Sequence, residues 1–381
     1  MRWGAALVLL GSLALHASSA ALERFVADAV EAGAPPSASV AVLHGTEVIY
    51  EKSFGYNDPD RAHATTPRSV YNLYSLSKIV TATVVMQLVE KGKIDLDAPI
   101  SRYFPRFRTQ FGGEARPVTV KELLMHCSGV TDRSGDYRHL FDDTRYALLL
   151  EQGETPPMAY DLAYEPGSEA RYSNSEYIIL GYLIQKVTGR SFEAAVTELV
   201  LEPAGMEEAG FGDRELGAED EVFGTLRLFS WMGLAMRMMI DEGDKNRYEG
   251  TTLWLNRVNV RWSPAGGLKG SLHDMVRFLQ ATHRLELYDE ATYERFMFTP
   301  PVDVDTTFSK FDRVRFGIGW YHLEDRGEVF YQHQGIGPGF RNIIRLYPGY
   351  DLSFVILTNQ TGTDIDAWAD RVFEAIKEEL E

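Results

Sequence analysis

Tyr74-Ser75-Leu76-Ser77-Lys78 heads the run Ile79-Val80-Thr81-Ala82-Thr83-Val84-Val85-Met86-Gln87-Leu88-Val89, which is apolar on nearly every side. A surface helix would carry one polar stripe, so this pattern predicts a helix buried all round. If the helix begins at Ser75, Ser75 and Lys78 share a face, because residues three apart are neighbours on a helix. The hydroxyl then sits at the positive end of the helix with the Lys amine one turn deeper. That end disfavours an ammonium and favours an oxyanion, and burial lowers the Lys pKa further. A neutral amine beside a hydroxyl can take its proton, so Ser75 is a candidate nucleophile and Lys78 its partner. An isolated S-x-x-K also describes a Ser cap with a surface Lys, and four residues alone do not choose between the two.

The rest of the 381-residue chain narrows the choice. Arg2, the apolar stretch Ala5 to Leu15 and the small residues Ser18-Ser19-Ala20 read as an export signal over residues 1–20, too short in its apolar part to span a bilayer. The expected address is the bacterial periplasm or the medium. A formal charge of −17 argues against nucleic acid as a partner, since phosphate binding needs a basic surface. Cys127 is the only cysteine, so no disulfide framework is available. The nine histidines lack H-x-x-x-H spacing and the Asp-rich pieces lack an EF-hand register, so no metal and no cofactor are expected. A G-x-S-x-G elbow is absent, which removes the α/β-hydrolase alternative. Gly335-Ile336-Gly337-Pro338-Gly339 precedes a strand rather than a helix, so it is not read as a nucleotide loop.

Hydrophobic periodicity predicts a helix over Leu22 to Ala32, then strands over Ser39 to Leu43 and Glu47 to Phe54 joined as a hairpin. Gly92 to Pro117 reads as irregular surface. Helices are expected over Lys121 to Met125, Tyr177 to Val187, Phe192 to Val200 and Leu226 to Ile240. Four strands follow, Ile318 to His322, Val329 to His333, Phe340 to Tyr347 and Leu352 to Thr358, with a last amphipathic helix from Asp364 to Leu380. The implied fold is α+β: an antiparallel sheet built from both ends of the chain (about 21–74 and 265–381), flanked by helices, with a mainly helical lobe (about 75–264) inserted. Leu226 to Ile240, rich in Trp, Met and Phe, is expected to pack in the core of that lobe. Its composition would also suit an adaptable wall for a lipid-like substrate or a helix resting on a membrane surface.

Three stretches then belong together: Ser75-Leu76-Ser77-Lys78, Tyr172-Ser173-Asn174 and His333-Gln334-Gly335. In order and spacing they resemble the serine hydrolases related to penicillin-binding proteins and β-lactamases, most closely class C. Leu123-Leu124-Met125-His126-Cys127-Ser128-Gly129, Glu165-Pro166-Gly167, Pro203-Ala204-Gly205-Met206, Ala265-Gly266-Gly267-Leu268, Gly337-Pro338-Gly339-Phe340 and Leu357-Thr358-Asn359 extend the resemblance over most of the chain. The resemblance implies that Ser75 is acylated with Lys78 as its partner. Tyr172 would be the general base for acylation and for the deacylating water, as phenolate or through Lys78. Asn174 would hold Lys78 or a substrate carbonyl, His333 and Gly335 would border the substrate, and the backbone N–H groups of Ser75 and Ile336 would form the oxyanion hole. Arg341, after the Gly-rich turn, could pair with a substrate carboxylate or be an ordinary strand Arg.

The third motif departs from the family pattern. Penicillin-destroying members usually show K-T-G there; this chain has His333 and Gln334 in place of the Lys and Thr. H-x-G forms resemble the esterase and peptidase branches. The expected activity is therefore hydrolysis of a small ester, amide or peptide, as an esterase or D-amino-acid peptidase, ahead of β-lactamase or penicillin-binding carboxypeptidase activity. Acyl transfer to another acceptor would use the same residues. The rival from another class is a catalytically silent envelope binding protein. His126 is expected to tie a turn and Cys127 to be a small buried residue. Specificity is expected in the loops from Thr131 to Pro157 and Glu207 to Thr225.

Overall fold

Ser37–His44 (β1) and Glu47–Gly55 (β2) pair antiparallel about the Gly45-Thr46 turn. Every β1 residue except His44 is buried, and the two faces go to different cores. Val40 and Val42 point to one hydrophobic cluster, Ala41 and Leu43 to the other. Such a strand, covered on both faces, loses the polar alternation of a half-exposed one. Its other edge is filled by Leu352–Thr358 (β8), with Ala38 opposite Thr358 and His44 opposite Leu352. The two ends of the chain therefore meet in one sheet. Between them in sequence lie Val302–Asp303 (β3), Arg313–Phe316 (β4), Tyr321–Asp325 (β5), Glu328–Gly337 (β6) and Phe340–Tyr347 (β7). The eight strands run in the order β3-β4-β5-β6-β7-β8-β1-β2, antiparallel throughout.

The computed structural model describes residues 20–132, 159–212, 220–238, 240–260, 262–304 and 310–380. The signal-like residues up to 19 lie outside this set, as do most of the loop from 131 to 157 and residues 213–219.

A helix over residues 20–31 and the C-terminal helix Ile365–Leu380 cover the outer face of the sheet. The latter buries Ile365, Trp368, Ala369, Val372, Phe373 and Ile376, the three-and-four spacing of a single apolar stripe. Arg345 of β7, fully buried, ties it down through Asp366 (3.2 Å) and Asp370 (2.8 Å). The inner face packs on the helix Ser77–Glu90, whose residues Ser77 to Leu88 are all buried. This is the helix buried all round that the apolar run predicts. The helix Asn174–Thr188 lies beside it in the same core.

Two expectations are corrected. The stretch from 92 to 117 is not wholly irregular: Arg108–Phe111 pairs with Glu114–Ala115 and, in parallel, with Ala159–Asp161. Leu226 to Ile240 is not one helix. Thr225–Arg227 is a strand paired with Thr252–Leu255, and only Trp231–Arg237 is helical, starting where the Ser230 hydroxyl accepts from the Gly233 N–H. Nor is all of it core: Leu226 and Ile240 are buried, but Phe229, Trp231 and Met238 are 86 %, 89 % and 85 % exposed.

Candidate active site

The helix does not begin at Ser75, as the sequence suggested. Ser75 lies in a separate 3-10 turn, Tyr74–Leu76, and the α-helix starts at Ser77. The break is made at Tyr74, a non-glycine residue at φ 46°, a conformation that costs energy and is found at functional turns. The surroundings hold it there: the Tyr74 hydroxyl donates to the Pro338 carbonyl at 2.7 Å, and the Ser77 hydroxyl donates to the Tyr74 carbonyl at 2.6 Å. Ser77 also accepts from the Leu268 N–H at 3.0 Å. This second serine of the motif stitches the turn to its neighbour, a role the sequence reading did not assign.

The turn leaves Ser75 half-buried, with its Oγ 3.1 Å from Lys78 Nζ and 2.6 Å from the Tyr172 hydroxyl. Lys78 Nζ also lies 2.8 Å from Asn174 Oδ1 and 2.6 Å from the Ala265 carbonyl oxygen. A neutral amine has two N–H donors and one lone pair. Two of its three neighbours can only accept, so the donors go to Asn174 and Ala265 and the lone pair is left facing the Ser75 hydroxyl. Burial, opposed chiefly by the more distant Asp132 carboxylate, lowers the Lys78 pKa from 10.5 to about 7. The amine therefore exchanges between its neutral and charged forms near pH 7.

Tyr172 behaves the other way. It is 36 % exposed where it borders the cavity, yet its ring lies 4.6 Å from that of His126 and 6.5 Å from that of Tyr321. Desolvation holds the phenol well above 10, with the Tyr321 phenol adding to the effect. Its O–H donates to Ser75 Oγ, so it rests as a phenol, not a phenolate.

Asn174 is presented by the first residue of its helix, and that end is organised by Asp132, a residue the sequence reading did not single out. Asp132 accepts from the Ser173 hydroxyl (2.9 Å), the Ser175 N–H (2.8 Å) and Asn174 Nδ2 (3.0 Å). A carboxylate at a helix N-terminus meets both the orphan N–H groups and the positive dipole end. It also fixes the amide so that Oδ1 faces Lys78. No sequence periodicity marks a cap supplied by a residue 42 positions away.

Beneath Tyr172, Glu176 Oε2 and His126 Nδ1 lie 2.5 Å apart, both fully enclosed. Burial raises the Glu176 pKa well above 4.5 and lowers that of His126 well below 6.5. The Ser173 N–H also points at Nδ1, at 3.3 Å. A carboxylic acid donating to a neutral imidazole satisfies all three observations, so the floor under Tyr172 is uncharged. Cys127, beside it, is buried with its thiol pushed up to about 12, which leaves it unreactive as a nucleophile.

The strand β6 forms the opposite wall. Gly335 sits where a Cβ would fall 2.0 Å from the Leu73 carbonyl oxygen, so only glycine lets this strand approach the Ser75 turn. A Cβ on Gly337 would strike the Tyr74 ring at 2.2 Å. Strand β5 pairs with β6 only as far as Gln332, leaving His333 to Gly337 paired on one side, with β7. Ile336 and Gln334 border a cavity of about 460 Å³ together with Ser75, Tyr172, Asn174 and Trp262. None of its lining residues among those described is charged.

Three of the expected binding residues, His333, Gly335 and Arg341, do not border this cavity. His333 is 3 % exposed behind the Tyr321 ring (5.0 Å), its Nδ1–H donating to the Gln334 carbonyl at 2.9 Å. Burial and then the nearby Lys78 lower its pKa to about 3, so it is a neutral support for the wall. Arg341 turns to Gln334 Oε1 (3.0 Å), the Met232 sulfur (3.2 Å) and Asp366 (4.0 Å). A guanidinium already engaged there is not presented to a substrate carboxylate. Among the described residues, no group of three His, Cys, Asp or Glu side chains is arranged to hold a metal.

A family model described as Beta-lactamase matches residues 22–377. Protein flp of Staphylococcus aureus is 22 % identical over 338 residues, covering 87 % of this chain and 61 % of its own length. The chain thus spans about three fifths of that relative. The D-amino acid amidase of Ochrobactrum anthropi SV3, solved with L-phenylalanine, superposes with a TM-score of 0.75 at 22 % identity over 95 % of this chain and 99 % of that one. EstCE1, described as a hydrolase with promiscuous acyltransferase activity, gives 0.75 at 20 % identity over 96 % and 99 %.

Proposed function

We propose that this chain, which belongs to the β-lactamase family, is a serine hydrolase that cleaves an uncharged ester or amide through an acyl-enzyme on Ser75. The observation that carries the proposal is the arrangement around Lys78: Nζ lies 2.8 Å from Asn174 Oδ1, 2.6 Å from the Ala265 carbonyl and 3.1 Å from Ser75 Oγ, so a neutral amine that donates to the first two turns its lone pair to Ser75. Ser75 gives its proton to Lys78 as Oγ bonds to the substrate carbonyl carbon. The resulting oxyanion lies between the backbone N–H groups of Ser75 and Ile336. The leaving alkoxide or amine takes a proton from the Tyr172 hydroxyl, and the phenolate so formed takes a proton back from the Lys78 ammonium, which lies 4.7 Å from the centre of its ring. Water then attacks the acyl carbon by the reverse relay and frees Ser75. Lys78 is the resting base and Tyr172 the relay, because an amine near 7 accepts a proton at neutral pH and a phenol held above 10 does not.

The cavity supports the choice of substrate. With no charged residue among the described ones lining it, it suits a neutral, apolar acyl group better than the carboxylate of a penicillin. The amidase and the hydrolase with promiscuous acyltransferase activity whose folds superpose on this one are consistent with either leaving group. We also propose that the protein is exported, on the strength of the signal-like residues 1–20.

The test is a panel of nitrophenyl butyrate, a D-phenylalanine amide and a penicillin, with wild type and Ser75→Ala. Turnover of the ester or amide that Ser75→Ala abolishes supports the proposal. Equal rates in the two proteins would remove Ser75 as the nucleophile, and turnover of the penicillin alone would replace the substrate class.

A further inference from the structure

Eleven large hydrophobic residues are exposed among those described, and the most exposed three, Phe229, Trp231 and Met238, fall within ten positions of each other. Among the described residues outside this stretch, no large hydrophobic exceeds 54 % exposure. Leu234, on the same short helix, is 48 % exposed, and Tyr248 on the adjoining strand is 52 % exposed. Single exposed apolar residues need no explanation, but a contiguous group does.

The inward side of the segment is already satisfied. Leu226 and Ile240 are buried with Leu253 and Leu255 in a small core of their own, and Leu228 and Met236 pack against it. Gly233 is pinned so tightly that a Cβ would lie 2.0 Å from the Arg227 carbonyl oxygen. The projecting side chains therefore stand on a fixed platform and cannot fold in to bury themselves. A short helix apolar on both faces implies something that covers the outer one.

We infer that this face docks on a lipid–water interface bearing anionic headgroups. Residues 226 to 240 contain two cations, Arg227 and Arg237, and no acid, in a chain whose formal charge is −17. Past Ile240 the chain turns acidic, at Asp241, Glu242 and Asp244, and Lys245 pairs with Glu242, so the basic character is confined to the segment with the exposed side chains. Trp and Phe projecting beside Arg is the composition that settles at the headgroup level of a bilayer. An interface with a second copy would have to close over side chains that protrude almost entirely.

The segment also adjoins the active site. Met232 touches Arg341, which holds Gln334 on the cavity wall. Docking would bring the cavity mouth to the membrane, so the substrate class becomes an acyl ester or amide held in a lipid phase. That consequence rests on the acyl-hydrolase reading; the docking itself does not.

The test is flotation with vesicles of phosphatidylglycerol and phosphatidylcholine, using wild type and the triple variant Phe229→Ser, Trp231→Ser, Met238→Ser. Wild type should co-float, and the triple variant should bind about tenfold or more weakly, as expected when three interfacial anchors are removed. Trp231→Phe alone should retain binding, which separates loss of anchoring from misfolding. Turnover of soluble nitrophenyl butyrate should be unchanged in the triple variant, while turnover of nitrophenyl palmitate carried in the vesicles should fall with binding. Ser75→Ala should still co-float although it hydrolyses neither ester. Equal binding by wild type and triple variant would overturn the inference. So would a wild type that stays in solution, or one that sediments as a dimer and becomes monomeric in the triple variant. Vesicle binding without turnover of either ester would instead leave docking intact and remove the acyl-hydrolase reading.

Discussion

Lys78→Met should change not only activity but the way stability depends on pH. In the folded protein the Lys78 pKa is about 7, against an ordinary 10.5, because the amine is fully buried. Between those two values the unfolded chain holds a proton that the folded one does not, so wild-type stability rises with pH across this window. Below pH 7 both states carry the proton and the penalty is complete; above 10.5 it is gone. At about 1.4 kcal/mol per unit, wild type should gain ~2 kcal/mol on going from pH 7 to pH 9, allowing for partial protonation of the folded amine at pH 7. The variant lacks this term. It also strands the Asn174 and Ala265 oxygens, at a cost of about 1–3 kcal/mol each, but that cost is the same at both pH values and cancels. The assay is urea unfolding of both proteins at pH 7 and pH 9. A difference between variant and wild type that shifts by ~2 kcal/mol in the stated direction supports a neutral resting amine. Parallel stabilities at both pH values would mean that Lys78 titrates normally, and the assignment of Lys78 as resting base would fail.

Other consequences are simpler to check. The pH profile of kcat/KM should rise with a midpoint near 7, as Lys78 loses its proton, and level off above it; a midpoint near 10 would make the Tyr172 phenolate the base. Tyr172→Phe removes the 2.6 Å bond to Ser75 and should lower kcat by about 10²–10⁴-fold with little change in KM; a near-normal kcat would remove the relay. Gly335→Ala forces β6 away from the Leu73 carbonyl and should destabilise the fold by about 1–3 kcal/mol and depress kcat. Gly349→Ala, where a Cβ meets nothing within 4 Å, is its control.

The sequence carried the fold where burial leaves a periodic trace. The uninterrupted apolar run after Lys78, the strands at both ends and the stripe of the last helix are each direct records of what they pack against. It misled where apolar content is not burial: Leu226 to Ile240 reads as core, yet Phe229, Trp231, Leu234 and Met238 are exposed. The two short strands near Gly113 were invisible because their residues are mostly exposed and polar. In the site, Ser75, Lys78, Tyr172 and Asn174 could be named from motif and spacing, and the folded chain brings them within hydrogen-bond reach of one another. The 3-10 turn at Tyr74 could not be foreseen, since nothing in the residue type Tyr announces a positive φ. Asp132 was missed for a different reason: its role depends on a meeting with Ser173, Asn174 and Ser175 that only the tertiary fold creates. Arg341 and His333 show the converse, since a motif position does not tell which side of a wall a side chain occupies.

The central claim is that Ser75 is a nucleophile made reactive by a neutral Lys78. Its most direct test is the intact mass of the protein after exposure to a fluorophosphonate, with the adduct located by peptide mapping, in wild type and Lys78→Met. The expected result is a single adduct on Ser75, formed much more slowly in the variant. An adduct elsewhere, none at all, or one formed equally fast without Lys78 would contradict the claim.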